Sequence, residues 1–200
     1  MSKLMIALFV SAGLGFAGAG TAQTPAQKNP AAMSKDAYAM AKASAAEQYK
    51  VDKDACAGLS GNARDICMAE AKGKENVAKA DAEAAYENTP KHRESARIAR
   101  AQAAYDVAKE KCDNLAGNLK DVCIKEAKSA LVKGKADARV ERVAADTSKD
   151  AAVKQSDARK EANADKRDAE YKVAIEKCDA LAGPAKDACL SRAKVQFGKS

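Results

Sequence analysis

The sequence predicts an all-α protein: an elongated array or loose bundle of about six helices, with three helical hairpins locked by disulfides. Three observations predict it. Alanine makes up about a quarter of the 200 residues, and with lysine, glutamate and arginine it dominates a chain without tryptophan; these residues are the strongest helix formers. Charged residues are 32% of the chain and alternate in sign, as in RKEANADKRDAE from Arg159 to Glu170, the pattern of a solvated helix face with i,i+4 pairs. Finally, one module occurs three times, each copy holding two cysteines eleven positions apart.

Taken from the N-terminus, the chain opens with a basic start at Lys3, an apolar run from Leu4 to about Ala19, and small residues at Gly20 and Ala22. That is the layout of a secretory signal peptide over residues 1–22, cleaved after Ala22. Its apolar run is diluted by glycines and falls short of the roughly 20 residues a spanning helix needs. No cysteine stands at the cleavage point, so a lipid anchor is not expected. Residues 23–33, QTPAQKNPAAM, read as a flexible N-terminal segment. All six cysteines follow, and an even number in an exported chain argues for disulfides.

The module spans about 24 residues: YKVDKDACAGLSGNARDICMAEAK from Tyr49, YDVAKEKCDNLAGNLKDVCIKEAK from Tyr105 and YKVAIEKCDALAGPAKDACLSRAK from Tyr171. Its copies begin 56 and then 66 residues apart, so the module recurs with spacers of unequal length rather than as a strict solenoid. Within each copy the glycine is the pivot. Gly61, Gly117 and Gly183 are expected to stop one helix in a left-handed conformation. Asn62 and Asn118 are expected to cap the amides of the next, with Asp65, Asp121 and Asp187 as first-turn charges, while Pro184 suits a first helical position.

Geometry decides how the cysteines pair. Eleven residues along one unbroken helix would separate them by about 16 Å at 1.5 Å per residue, whereas a disulfide needs Cα atoms within about 7 Å. A hairpin folded at the glycine brings them opposite each other. The expected bonds are Cys56 with Cys67, Cys112 with Cys123 and Cys178 with Cys189, each contributing about 2 to 3 kcal/mol by loop-closure entropy. Tyr49, Tyr105 and Tyr171, two helical turns before the first cysteines, are expected to cover the disulfides and the facing Ala71, Ala127 and Ala193.

Breaks in the spacers complete the division. Asn88 to Pro90 should end one helix and start another, and DTSKD from Asp146 to Asp150 is a weaker break capped by Thr147 or Ser148. The expected helices are 34–60, 62–87, 91–116, 118–146, 148–182 and 185–197. They group into a first hairpin module with its spacer (34–88), a second (89–146), and a spacer with the third hairpin (147–200).

Chemistry is sparse. The C-x10-C spacing lacks the low-pKa C-x-x-C at a helix start on which thiol-disulfide exchange depends, so a redox role ranks as a distant alternative. One histidine, His92, expected as a solvent-exposed residue near the Pro90 turn, makes no tetrahedral metal site with oxidised cysteines. No nucleophile, base and orienting group stand together for hydrolysis, and Gly73-Lys74 and Gly134-Lys135 are isolated pairs that carry no phosphate-loop pattern. The reading is therefore non-enzymatic, with no cofactor and no metal. The precursor's net charge is +7, and +6 once Lys3 leaves with the signal peptide. With Lys72, Lys128 and Lys194 at the module ends, this favours anionic envelope polymers such as lipopolysaccharide as the alternative partner. Nucleic acid is disfavoured because aromatic interleaving is missing.

The motif Y-x-V-x4-C-x2-L-x-G-x3-D-x-C-x3-A-K with its Ala/Lys/Asp spacers resembles small exported proteobacterial proteins labelled TolA-like cell-envelope proteins. The likeness covers nearly the whole chain after the signal peptide. It implies an envelope location and a structural or protein-interaction role, without named binding residues. The sequence thus points to a periplasmic protein whose partner is an envelope protein, an anionic polymer, or another copy through its helices.

Overall fold

The computed structural model describes residues 32–148 and 150–199, so the expected signal peptide and residues 23–31 lie outside the described residues. The described chain forms six helices: α1 Lys35–Ala55, α2 Gly61–Glu87, α3 Pro90–Cys112, α4 Gly117–Ala144, α5 Ala151–Cys178 and α6 Gly183–Phe197. Among the described residues each helix packs only on its neighbours in sequence. The result is an antiparallel zigzag. Its registers are marked by Tyr38 stacked on Tyr86 across α1 and α2 (4.7 Å between rings), Arg100 with Asp81 across α2 and α3 (2.6 Å), and Lys133 with Glu170 across α4 and α5 (2.6 Å). Across α3 and α4 the register is set by Arg142 with Glu94 (2.6 Å) and by the ion pair of Arg97 with Glu141. Such exposed pairs contribute about 0 to 1 kcal/mol each, so they mark the register more than they stabilise it.

Among the described residues the buried apolar side chains are alanines and cysteines. Ala71, Ala96, Ala138 and Ala162 are 2 to 3% exposed, and Cys56, Cys112 and Cys178 0 to 1%, while Met40, Val51, Leu119, Val153 and Val195 stay largely in solvent. Small side chains let the helix axes approach closely, and glycine takes this furthest. A Cβ on Gly73 would lie 2.9 Å from the Ala103 Cβ, and one on Gly134 2.8 Å from the Ala101 Cβ. Two glycines that carry no motif in sequence are therefore contact points of α2 and α4 on opposite sides of α3. Alanine burial removes little apolar area per residue, so the covalent links carry an unusual share of the stability.

The three expected disulfides are present, each with a Cα separation of 5.7 Å. The turns around them differ from expectation in one respect. The helices before them stop at Ala55, Cys112 and Cys178, five to six residues earlier than the glycines. There the chain tightens, with the Leu59, Leu115 and Leu181 N–H groups donating to the Cys56, Cys112 and Cys178 carbonyls (3.1, 2.9 and 3.0 Å). It then runs extended through Ser60, Ala116 and Ala182. The glycine is left-handed as expected, with φ of +54°, +55° and +54°, yet it opens the following helix instead of closing the preceding one. Nothing lies within 4 Å of an added Cβ at these glycines; the positive φ alone demands the residue.

The other turns also shift. Asn88, at φ +47°, closes α2. Thr89 Oγ1 accepts from the His92 N–H (3.2 Å) to cap α3, with Pro90 in its first turn. Between α4 and α5, which end and start at Ala144 and Ala151, the cap residue is Asp150, whose side chain makes no capping bond to the helix and instead accepts from Ser148 Oγ (2.7 Å). Neither Thr147 nor Ser148 caps there. Instead Asp146 accepts from the Ser148 N–H (2.9 Å) and from Lys154 (3.0 Å). Met33, assigned from sequence to the flexible segment, donates its N–H to the Ala85 carbonyl (2.9 Å).

Candidate functional site: stapled turns and module junctions

Three stapled turns lie at the same end of the zigzag. In each, the first cysteine is sealed in the core, whereas Cys67, Cys123 and Cys189 are half-buried. An attacking thiolate therefore meets at most the second sulfur of each pair. Next to them Leu59, Leu115 and Leu181 are 43, 41 and 42% exposed. Tyr49 carries the Lys72 ammonium 5.1 Å above its ring, and Tyr171 meets Phe197 at 6.0 Å.

The link between neighbouring modules comes from the residue after each glycine. Asn62 and Asn118 do not accept from helix amides as expected. Asn62 Nδ2 donates to the Glu110 carbonyl in the last turn of α3 (2.6 Å), and Asn118 Nδ2 to the Glu176 carbonyl in the last turn of α5 (2.9 Å). Each of these carbonyls also accepts a backbone N–H at its own helix end, from Asp113 and from Asp179 (both 3.1 Å), so the asparagine is a second donor that ties that helix end to the neighbouring module. Asn62 Oδ1 is buried without a partner. A second contact repeats beside the first: Lys111 with Glu70 (3.6 Å) and Lys177 with Glu126 (2.6 Å).

Both contacts are missing at the outer ends of the array. The position of Asn62 and Asn118 is Pro184 in the third module, that of Glu70 and Glu126 is Arg192, and that of Lys111 and Lys177 is Ala55 in the first. The junction positions of α1 and α6 also carry larger, uncovered side chains. Met40, 72% exposed, stands where α3 and α5 have the buried Ala96 and Ala162, and Val195, 83% exposed, where α2 and α4 have the buried Gly73 and Ser129. Terminal repeats that depart from the internal pattern close an array. Aligning the modules on their cysteines exposes these departures in sequence, but only the structure assigns them to contacts.

The remaining expected residues sit as follows. Asp65, Asp121 and Asp187 are exposed and fall just past the first turns of α2, α4 and α6. His92 is not solvent-exposed as expected: its side chain is 29% accessible, and its Nδ1 lies 2.7 Å from Thr89 Oγ1, so it braces the turn it was expected to flank. The three module lysines diverge. Lys72 is bound to the buried Glu75 (2.8 Å), which Lys79 also contacts (2.5 Å). The hydrogen bond from Lys72, followed by that from Lys79, holds the Glu75 carboxyl below its ordinary pKa. In the second module the position of Glu75 is Leu131, and Lys128 has no acid partner among the described residues. Lys194 is exposed on α6.

Among the described residues no three or more metal-ligating side chains come together, and no helix is long and apolar enough to cross a membrane. Three closed disulfides fit an oxidising, exported environment. Compared with family models, with curated proteins and with solved structures, the chain matches none of them.

Proposed function

We propose that this protein is a non-enzymatic component of the bacterial periplasm, a structural or protein-interaction array of the cell envelope, as its resemblance to TolA-like envelope proteins implies. One observation carries the reading. The same junction, an asparagine on a helix-end carbonyl beside a Lys–Glu pair, recurs between modules and is replaced at both ends. Chemistry is thus invested in the length and rigidity of the array, and the side chains that recur from module to module serve its joints. The disulfides keep that array rigid outside the reducing cytosol.

The test is fractionation of the native host combined with maleimide labelling and crosslinking in intact cells. The protein is expected in the periplasmic fraction, shortened by its first 22 residues, unreactive toward maleimide until reduced, and crosslinked to envelope proteins. A cytosolic protein with free thiols, or catalysis of disulfide exchange by the purified chain, overturns the reading.

A further inference from the structure

A groove of about 530 Å³ runs along α4 between α3 and α5, within the range of roughly 300 to 1,000 Å³ typical of small-ligand sites. Its apolar lining comes from Ile98 on α3, Val132 and Ala136 on α4 and Ala169 on α5. Its charges are unbalanced. Every carboxylate in the lining is already engaged: Glu94 by Arg142 (2.6 Å), Asp165 by Arg139 (3.4 Å) and Asp168 by Lys199 (2.6 Å). Lys125 is held by Glu176 (3.4 Å). Lys128, Lys135 and Lys172 also line the groove, and none has an acid partner within 4.0 Å among the described residues.

These three ammonium groups share one stretch. Lys128 and Lys135 are two turns apart on α4, about 10 Å along the axis. The pairs of Lys133 with Glu170 and of Lys177 with Glu126 set Lys172 of α5 opposite the interval between them. Lys128 is free because Leu131 replaces the glutamate that neutralises its counterpart Lys72, so the second module presents a charge that the first one cancels.

We propose that this groove binds an amphiphilic anion, a single alkyl chain with a phosphate or carboxylate head. The head is met by Lys128, Lys135 and Lys172, and the chain lies on Ile98 and Val132. An apolar floor beside three lysines that form no ion pair favours a ligand with both properties over either a neutral chain or a bare anion, and the volume suits a small molecule better than a polymer. The inference goes beyond the structural role proposed above and is tested apart from it.

The test is calorimetric titration of the oxidised chain with dodecyl phosphate below its critical micelle concentration, alongside inorganic phosphate, octyl glucoside and dextran sulfate. Saturable one-to-one binding is expected for dodecyl phosphate, with inorganic phosphate and octyl glucoside each weaker by at least about tenfold. The variant K128E/K172E, altered at exposed positions and checked for unchanged helicity by circular dichroism, should lose at least about tenfold in affinity, since charge-assisted hydrogen bonds are lost and replaced by repulsion. K160E, outside the groove lining, should not change it. Binding only above the micelle concentration, equal binding of the neutral glycoside, indifference to K128E/K172E, or tight binding of dextran sulfate without dodecyl phosphate would each overturn the proposal. Headgroup source is separated by repeating the titration with dodecanoate.

Discussion

At one end of the array the chain turns three times in one way, through a disulfide, a leucine N–H on the cysteine carbonyl and a glycine at φ near +54°. At the other end it turns twice by unrelated means. Asn88, Thr89, Pro90 and His92 close a two-residue break by capping, while Asp146, Ser148 and Lys154 hold a longer one by charge. The comparison teaches where an alanine core gets its permanence. Where burial is shallow, a covalent bond limits the unfolded chain and fixes the turn whatever the solvent. The uncrosslinked end depends on hydrogen bonds and ion pairs that water competes for, and it should open first.

Breaking the stapled end should have the largest effect. Reduction of all three disulfides is expected to remove about 2 to 3 kcal/mol for each closed loop, a total comparable to the stability of a small domain. Thermal unfolding followed at 222 nm with and without reductant checks it; a midpoint unchanged by reduction would show that packing alone holds the turns. Native-state hydrogen exchange sharpens the contrast, with amides next to 88–90 and 145–150 exchanging before those next to 56–61 and 112–117 in the oxidised chain.

Next in size is the close approach that serves both ends, at Gly73 and Gly134. G134L should cost about 1 to 3 kcal/mol by overpacking, because the Ala101 methyl already stands where its Cβ would go. A101G in the same chain should restore part of the loss, and urea unfolding of single and double variants measures the coupling. Additive costs would mean that the two residues do not meet.

The junction asparagines rank lower, at about 1 kcal/mol for one intramolecular hydrogen bond. N118A should cost more than N62A, because removing Asn62 also removes a buried oxygen without a partner. Equal losses in denaturant titrations would contradict the assignment.

The smallest effect concerns the charge-held turn. The Ser148 backbone N–H, followed by the Lys154 ammonium, lowers the Asp146 pKa to about 2. Its folded value lies below the unfolded one, so its contribution is present above about pH 4 and disappears as pH falls through about 2. The carboxyl resonance should titrate near pH 2 by NMR, move up in K154A, and leave the stapled turns unaffected. Titration near pH 4 in the native protein would remove the proposed support from this turn.

Much of this architecture is legible without coordinates because its cause is local. The repeated C-x10-C spacing cannot close on a straight helix, so Cys56 to Cys67 and its two counterparts had to be hairpins. What misled was also local. A glycine after helix formers and an asparagine after the glycine resemble a helix stop and a cap, yet the helix had already ended at the cysteine and Asn118 faced a carbonyl 58 residues away. His92 looked like a solvated residue because its Thr89 partner depends on the geometry of the cap. Gly73 and Gly134 carried no signal at all, since a close approach is a property of two helices.

By itself, then, the amino-acid sequence determined the helix count and the cysteine pairs, each set by propensity and by the distance a short chain can span. Only the tertiary structure decided that modules join through Asn62, Asn118 and a repeated Lys–Glu pair, that the outer faces lack those contacts, and that Lys128 is left without a carboxylate while Lys72 is not. Those outcomes depend on which helix lies beside which, and on residues far apart in sequence sharing one small volume, a condition that local pattern does not encode.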